Sequence, residues 1–278
     1  MTTTQAARAE TFHALHTADR PLALANVWDV ASALLVEAAG AGAIATTSAG
    51  VAWSLGSPDG DVLGRDRALG LVARVVAAVG LPVTADIEGG YGDDADGVAD
   101  TVAGVLAAGA VGVNIEDGPR PPAEAAARVA AARRAADRAG VRLFVNARVD
   151  TFLTGSGGVR ETLDRARRYV EAGADGVFVP GVADAETITA LARGIAVPLN
   201  VMAAPGTPPL GQLGTLGVAR VSLGSGIAQS AYAAARRAAE ELFSQGSYHA
   251  VGDGIAYPEL DALLRAGGGG RGSTTGGR

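Results

Sequence analysis

Short apolar runs alternate with longer stretches in which apolar residues recur at helical spacing, and this alternation persists through most of the chain. Three segments repeat one pattern: AGAGAIATTS from Ala39, AGAVGVNIED from Ala108 and AGADGVFVPG from Ala172. Each leaves an Ala-rich amphipathic stretch, passes a Gly suited to a helix C-terminus, and enters a short strand. LGVARVSLG from Leu216 is a weaker fourth copy. Between the copies lie GLPVTADIE from Gly80, GVRLFVNARVD from Gly140 and IAVPLNVMAAPG from Ile195, and PLALANVWD from Pro21 precedes them all. The pattern therefore predicts eight strands separated by helices, which implies parallel pairing through βαβ crossovers. Eight such units fit a closed (β/α)₈ TIM barrel better than an open sheet, and no G-x-G-x-x-G follows the first strand.

A helix is expected over about 4–16, outside the barrel, and a last barrel helix over about 226–243, followed by a further segment. One barrel domain is expected over 1–266. The remaining GGGGRGSTTGGR, read as 267–278, lacks apolar residues and is expected to be disordered.

Composition narrows the chemistry. Apolar residues at 48% supply a core, while aromatics are only 4%, which suits short strands under closely packed Ala-rich helices. Every basic residue is Arg, so a Schiff-base lysine is excluded, and the absence of Cys excludes thiolate ligands, disulfides and cysteine acids. A net charge of −6 without a basic cluster argues against nucleic acid. No apolar stretch of membrane-spanning length is uninterrupted, and Arg8 and Glu10 stand where a secretory signal would be apolar. A cytoplasmic protein with no membrane partner is the expectation.

In this fold chemistry lies at the C-terminal ends of the strands. Those ends carry Asn26 and Asp29, Thr47 and Ser48, Asp86 and Glu88, Asn114, Glu116 and Asp117, Asn146, Arg148 and Asp150, Pro180, Asn200, and Ser222. Strand alternation predicts that Asp86 and Glu88 share a side, as do Asn114 and Glu116. Converging carboxylates without Lys point to a hard divalent cation held by Asp86, Glu88 and Glu116. Asp29, Asp94 and Asp117 each stand where a helix could begin and are read as N-caps or solvated loop charges rather than ligands. Arg148 suits either an ion pair or a clamp for a substrate carboxylate. Gly and small residues between Ser48 and Asp61 allow backbone N–H groups to approach an anion. Gly224-Ser225-Gly226 is either a helix-start anion site or a plain turn, and Tyr91 either lines the site or packs. The three His lie near the termini and are not catalytic candidates.

These motifs, in this order, resemble the isocitrate lyase / phosphoenolpyruvate mutase superfamily up to about residue 245. Thr46-Thr47-Ser48-Ala49-Gly50-Val51-Ala52 is similar to its substrate-cradling loop, and Asp59 to its Pro-Asp acid near the metal. Asp86-Ile87-Glu88-Gly89-Gly90-Tyr91-Gly92 resembles its Asp-x-Asp-x-Gly-Tyr-Gly signature, with Glu88 in place of the second Asp. Asn114-Ile115-Glu116-Asp117 and Asn146-Ala147-Arg148-Val149-Asp150 are similar to its next acid and its Arg strand.

The resemblance implies Mg²⁺ (or Mn²⁺) bound directly by Asp86, with Asp59, Glu88 and Glu116 around it. It implies Asp59, Glu116 and Arg148 in catalysis, and Ser48, Ala49, Gly50, Arg148 and Asn200 on a small anionic substrate. It also implies a last helix exchanged between subunits of a homo-oligomer, a dimer or a tetramer. The loop after Glu116 is only Gly118-Pro119-Arg120-Pro121-Pro122, without the Lys, Cys, His or Asn of the family's gating loop, so the usual cysteine-acid cleavage is excluded. The expected activity is a Mg²⁺-dependent lyase on a small 2-oxo or 2-hydroxy (di)carboxylic acid through an enolate-type intermediate. The alternatives are carboxyphosphonoenolpyruvate- or phosphoenolpyruvate-mutase-like P–C bond chemistry, and a barrel that binds a metal and a carboxylate but catalyses little.

Overall fold

The computed structural model describes residues 3–16 and 20–269. Its strands are β1 (Leu22–Leu24), β2 (Ile44–Ala45), β3 (Val83–Asp86), β4 (Gly112–Glu116), β5 (Phe144–Arg148), β6 (Gly176–Val179), β7 (Leu199–Met202) and β8 (Arg220–Ser222). Its helices are α1 (Thr3–Leu15), α2 (Val30–Ala38), α3 (Ser48–Ser54), α4 (Arg65–Ala78), α5 (Ala95–Ala107), α6 (Pro122–Ala139), α7 (Thr151–Thr154), α8 (Val159–Glu171), α9 (Ala185–Gly194), α10 (Leu210–Thr215), α11 (Gly226–Gln245) and α12 (Tyr257–Gly269).

All strand pairs are parallel, in the order β1-β8-β7-β6-β5-β4-β3-β2. A parallel bridge between Val27 and Thr46 brings the two ends of the sheet together. The fold is the expected (β/α)₈ barrel. α12 extends to Gly269, so residues 267–269, expected in the tail, continue a helix instead; the rest of that expectation, 270–278, lies outside the described residues.

Two cores hold the barrel. The larger lies between the strands and the surrounding helices and is built from Val, Leu, Ile and Ala, including Val75, Val102, Val113, Val145 and Leu191. The smaller fills the lower barrel with Leu22, Leu24, Ala45 and Phe144, closed by Ala9 and Phe12 of α1. Gly112 makes room for that closure, because a Cβ there would lie 2.8 Å from the Phe12 ring. His16 stacks on Phe144 with ring centroids 4.0 Å apart, and its Nδ1 bonds the Phe12 carbonyl at 2.8 Å.

Above this plug the interior is polar, where such barrels more commonly pack branched apolar side chains. Asn114, Asn146, Asn200 and Arg220 are all buried there. The Asn114 Oδ1 accepts from Asn146 Nδ2 at 2.8 Å and from Arg220 Nη2 at 3.1 Å. With its oxygen taken twice, the Asn114 amide turns its NH₂ toward Asp86, 3.5 Å away.

Candidate active site

The upper end of the barrel contains a cavity of about 170 Å³. Asn26, Thr47, Ser48 and Ala49 line it from the first two strand ends, Asp59 from the following loop, and Asp86, Asn114 and Arg148 from β3 to β5. Leu153, Phe178, Pro180 and Met202 complete the side toward β5–β7, and Ser222, Gly224 and Ser225 the side toward β8. The structure therefore brings together Ser48, Ala49, Asp59, Asp86 and Arg148 of the residues singled out by sequence.

Asp86 ends β3. Its Oδ1 accepts the Glu88 N–H at 3.1 Å, and its own N–H bonds the Thr46 hydroxyl at 2.9 Å. Burial pushes its carboxyl up, and Asp59 adds repulsion against the pull of Arg148. Glu116 forms a 2.7 Å ion pair with Arg148 Nη1, and Asp150 accepts from Arg148 Nε at 2.6 Å. Burial nonetheless pushes Glu116 up to about 8, with Asp86, Asp150 and Asp59 opposing its ionisation. Burial also raises Asp150. Arg148 is held above its ordinary range: burial lowers it, but Glu116, Asp150 and Asp86 outweigh that.

Glu88 departs from the strand-alternation expectation. β3 stops at Asp86, and Glu88 adopts a left-handed conformation, φ 51°. Its buried carboxylate turns to the neighbouring loop, accepting from Gly60 N at 2.8 Å, from Asp61 N, and from the Tyr91 hydroxyl at 2.7 Å. Asp61 and Tyr91 also have positive φ, 61° and 50°. The Asp61 carboxylate accepts from Tyr91 N at 3.2 Å and from Arg120 Nη2 at 3.3 Å. Three non-glycine residues in this region of backbone space, in mutual contact, mark a segment whose strain the surroundings over-determine. The result is to fix Asp59, two residues before Asp61, over the cavity.

Asp117 corrects another expectation. It does not cap a helix; it is a buried hub whose Oδ1 accepts Asp150 N at 2.9 Å and whose Oδ2 accepts Tyr169 OH at 2.8 Å and Arg165 Nη1 at 3.0 Å. Asp29 and Asp94 do cap helices, α2 and α5. Asn200 lies below the cavity with its Oδ1 accepting from Ser222 Oγ at 3.2 Å. Gly50 does not line the cavity: a Cβ there would come within 2.8 Å of Thr47 and Trp28 and 3.2 Å of Ala228, so it lets α3 pack against the first turn of α11. Tyr91 is committed to Glu88, and burial holds its hydroxyl far above the ordinary range. Sequence reasoning missed Arg128 of α6, whose buried guanidinium donates to Gly89 O at 3.0 Å, Gly92 O at 2.9 Å and Asp93 O at 2.7 Å, clamping the glycine-rich turn. Its distance from the motif in sequence left no signal.

The donor set can be tested against a divalent cation. Among the described residues no three acidic or His side chains stand close enough to wrap an ion. Mg²⁺ does not need that, since it keeps several waters and binds through one or two carboxylates. Asp86 and Asp59 present oxygen donors to one cavity, and the mutual repulsion that raises Asp86 and Glu116 against the single guanidinium of Arg148 is one that a cation relieves. The residues fit the ion.

The phosphoenolpyruvate phosphomutase family model matches residues 12–243. An uncharacterized protein of Mycobacterium tuberculosis (strain ATCC 25618 / H37Rv) is 43% identical over 266 residues, 91% of this chain and 95% of its own. The 2-methylisocitrate lyase of Escherichia coli (strain K12) is 31% identical over 84% of this chain and 82% of its own. Among solved structures, one of the lyase/mutase class from Burkholderia cenocepacia J2315 superimposes with a TM-score of 0.89 at 38% identity, covering 95% of this chain and 97% of that one. A phosphonopyruvate hydrolase complex with oxalate and Mg²⁺ gives 0.80 at 25% identity, covering 93% and 94%. Matched across its whole barrel, the chain belongs to the isocitrate lyase / phosphoenolpyruvate mutase superfamily, whose members are metal-dependent lyases and mutases.

Proposed function

We propose that this chain is a cytoplasmic Mg²⁺-dependent carbon–carbon lyase, also served by Mn²⁺, that acts on a small 2-oxo or 2-hydroxy acid through an enolate-type anion. The carrying observation is the cavity in which Asp86 and Asp59 face Arg148 with more carboxylates than cations around them. Asp86 would hold the ion directly, with Asp59 and Glu116 reached through water. When bound, the ion supplies a Lewis acid for the carboxylate and its adjacent oxygen.

The protein's own groups do the rest. Glu88 fixes the loop that carries Asp59. Glu116 and Asp150 hold the Arg148 guanidinium in one orientation, which leaves its remaining N–H groups for the substrate carboxylate. Ser48 and Ala49 open α3, where first-turn N–H groups have no acceptor within the helix. No side chain of the short 118–122 loop enters the cavity: Arg120 is engaged by Asp61 and Glu124. A decarboxylation makes the least demand on such a loop, because carbon dioxide leaves without a general acid.

The test is a panel of 2-oxo and 2-hydroxy acids with Mg²⁺, read as carbon dioxide or pyruvate release and by phosphorus NMR with phosphonates. Turnover of a 2-oxo or 2-hydroxy acid is the expected result. P–C bond chemistry alone, or oxalate binding with no turnover across the panel, overturns the lyase reading.

The same proposal makes the chain a homo-oligomer. Of the 20 residues of α11 only Ala228 is buried, and Tyr232, Leu242 and Phe243 are exposed, as expected of a helix that packs on a second copy. A monomer by light scattering at micromolar concentration would refute this. Among the described residues no helix is long and apolar enough to cross a membrane.

A further inference from the structure

Among the described residues two arginines are buried, Arg128 and Arg220. Arg128 is matched by the Glu124 carboxylate and three backbone carbonyls. Arg220 has no ion-pair partner, and its Nε and Nη1 find no hydrogen-bond partner. Taking so poorly matched a guanidinium out of water is costly, so its stability contribution does not account for it. Its one hydrogen bond does. Arg220 rises from β8 and crosses the barrel to the opposite strand, β4, where Nη2 donates to Asn114 Oδ1 at 3.1 Å.

Of Asn114, Asn146, Asn200 and Arg220, only Asn114 lines the cavity above. What it shows there depends on which way its amide is turned. Asn146 does not decide this. Its Nδ2 donates to Asn114 Oδ1 at 2.8 Å while its own Oδ1 has no partner, so the two amides can turn over together and keep a hydrogen bond between them. A guanidinium carries donors only. Arg220 therefore permits one orientation, with the Asn114 carbonyl inward and its NH₂ toward the cavity. That NH₂ is 3.5 Å from Asp86 Oδ2, a contact too long to hold the amide or to use up its N–H groups. They remain for an anionic oxygen of a ligand, which otherwise meets the carboxyl groups of Asp59 and Asp86 on that side of the cavity.

We infer that Asn114 is an anion-binding residue of the cavity and that Arg220 is a positioning residue, reaching across the barrel to fix the Asn114 amide as a donor. The inference rests on the proposed metal-chelating site and adds to it a neutral donor for the bound anion.

Oxalate serves as the anion and Mg²⁺ alone as the control. Calorimetric titration of the full chain with oxalate at saturating Mg²⁺ is expected to show Arg220→Met binding about tenfold more weakly than wild type or worse, the scale of a hydrogen bond to a charged group. Mg²⁺ titrated alone should bind Arg220→Met no more weakly, because the variant removes a positive charge. Arg220→Lys keeps a donor-only group and should recover most of the oxalate loss. Asn114→Ala should lose about as much as Arg220→Met, and combining the two should cost less than about threefold more, since the two side chains act as one unit. If oxalate fails to bind wild type with Mg²⁺, the metal-site reading falls and takes this one with it. The positioning role is wrong, while the metal site stands, if wild type binds oxalate and any of three results appears: Arg220→Met binds it as tightly, Arg220→Lys recovers nothing, or Arg220→Met costs the same with and without Asn114.

Discussion

The two ends of this barrel treat buried polar groups in opposite ways. At the upper end nearly every extra carboxylate is consumed locally. Glu88 is filled by backbone N–H groups and Tyr91, Asp117 by Asp150 N, Tyr169 and Arg165, and Asp150 by Arg148. The two carboxyl groups that face the cavity are Asp59 and Asp86. At the lower end, His16 within the α1 plug and Arg220 resting on its Phe12 ring are buried with nitrogen atoms that find no hydrogen-bond partner among the described residues. The carboxylates of the upper end are matched by donors; the lower end is closed by aromatic packing and leaves nitrogen atoms of its two basic side chains unpaired.

The largest effect tests that contrast at its open point. Asp86→Asn should abolish Mg²⁺-dependent oxalate binding in calorimetry and lower any turnover by about a thousandfold or more, the scale of losing an electrostatic centre. The metal-free unfolding midpoint should stay close to wild type, because burial already disfavours the Asp86 charge. Binding that survives would remove Asp86 from the metal. Next in size is Asp117→Ala, which breaks a saturated hub and strips Arg165 and Tyr169 of their shared acceptor. Loss of a buried ion-pair partner costs about 3–5 kcal/mol, readable in urea unfolding. A change below about 1 kcal/mol would mean the upper end is not held by saturation.

His16 gives the matching test below. Its imidazole is lowered from 6.5 to about 3, by burial first and by Arg220 second, with the Phe12 carbonyl pulling the other way. The unfolded chain takes a proton near pH 6.5 while the folded one refuses it, so the contribution is complete above that pH and is lost as pH falls toward 3. By pH 5 the loss from this site is about 2 kcal/mol. His16→Phe should flatten that part of the stability–pH curve; an unchanged slope would mean the plug does not exclude the charged ring.

A smaller effect separates two roles for Glu88. As the anchor of the Gly60–Asp61 backbone it should tolerate Glu88→Gln with a loss of Mg²⁺ affinity below about tenfold, and Tyr91→Phe should produce a similar loss. A loss of a hundredfold or more in Glu88→Gln alone would return Glu88 to the metal's own ligands.

The barrel and the polar strand ends that line the cavity are legible in the chain because both are repeats or ordered motifs: the AGA–Gly–strand pattern marks β2, β4 and β6, and strand ends mark Asp86 and Arg148. Glu88 and Asp117 were misread for one physical reason. Alternation and N-cap rules are local, but Glu88 leaves the strand through a left-handed residue to reach Gly60, and Asp117 answers to Tyr169 and Arg165 on α8. Arg128 and Arg220 were invisible for the same reason, since one acts on a turn two elements earlier and the other inside the barrel. Leu153, Phe178 and Met202 carry no polar group to single them out in the sequence, and they join the cavity lining only once the strand ends are set side by side.

The smallest expected effect concerns Arg220. Its Nε and Nη1 lack hydrogen-bond partners, and no carboxylate among the described residues forms an ion pair with it. Burial depresses its guanidinium to about 9, and only Asp86 pulls it back. Its direct contacts are Asn114 Oδ1, which Asn146 also serves, and the Phe12 ring. A cation so poorly compensated contributes little net stability, because desolvation offsets its attractions. Arg220→Met keeps length and packing beside Phe12 and removes the charge, so unfolding free energy should change by no more than about 1 kcal/mol, with a gain as plausible in sign as a loss. The same variant should make the His16 loss level off at a higher pH and shrink its total, since Arg220 is the second cause of that depression and the onset near pH 6.5 belongs to the unfolded chain. A loss of 3 kcal/mol or more would show that Arg220 is compensated by ordered water as fully as Asp117 is by protein, and the contrast between the two ends would disappear.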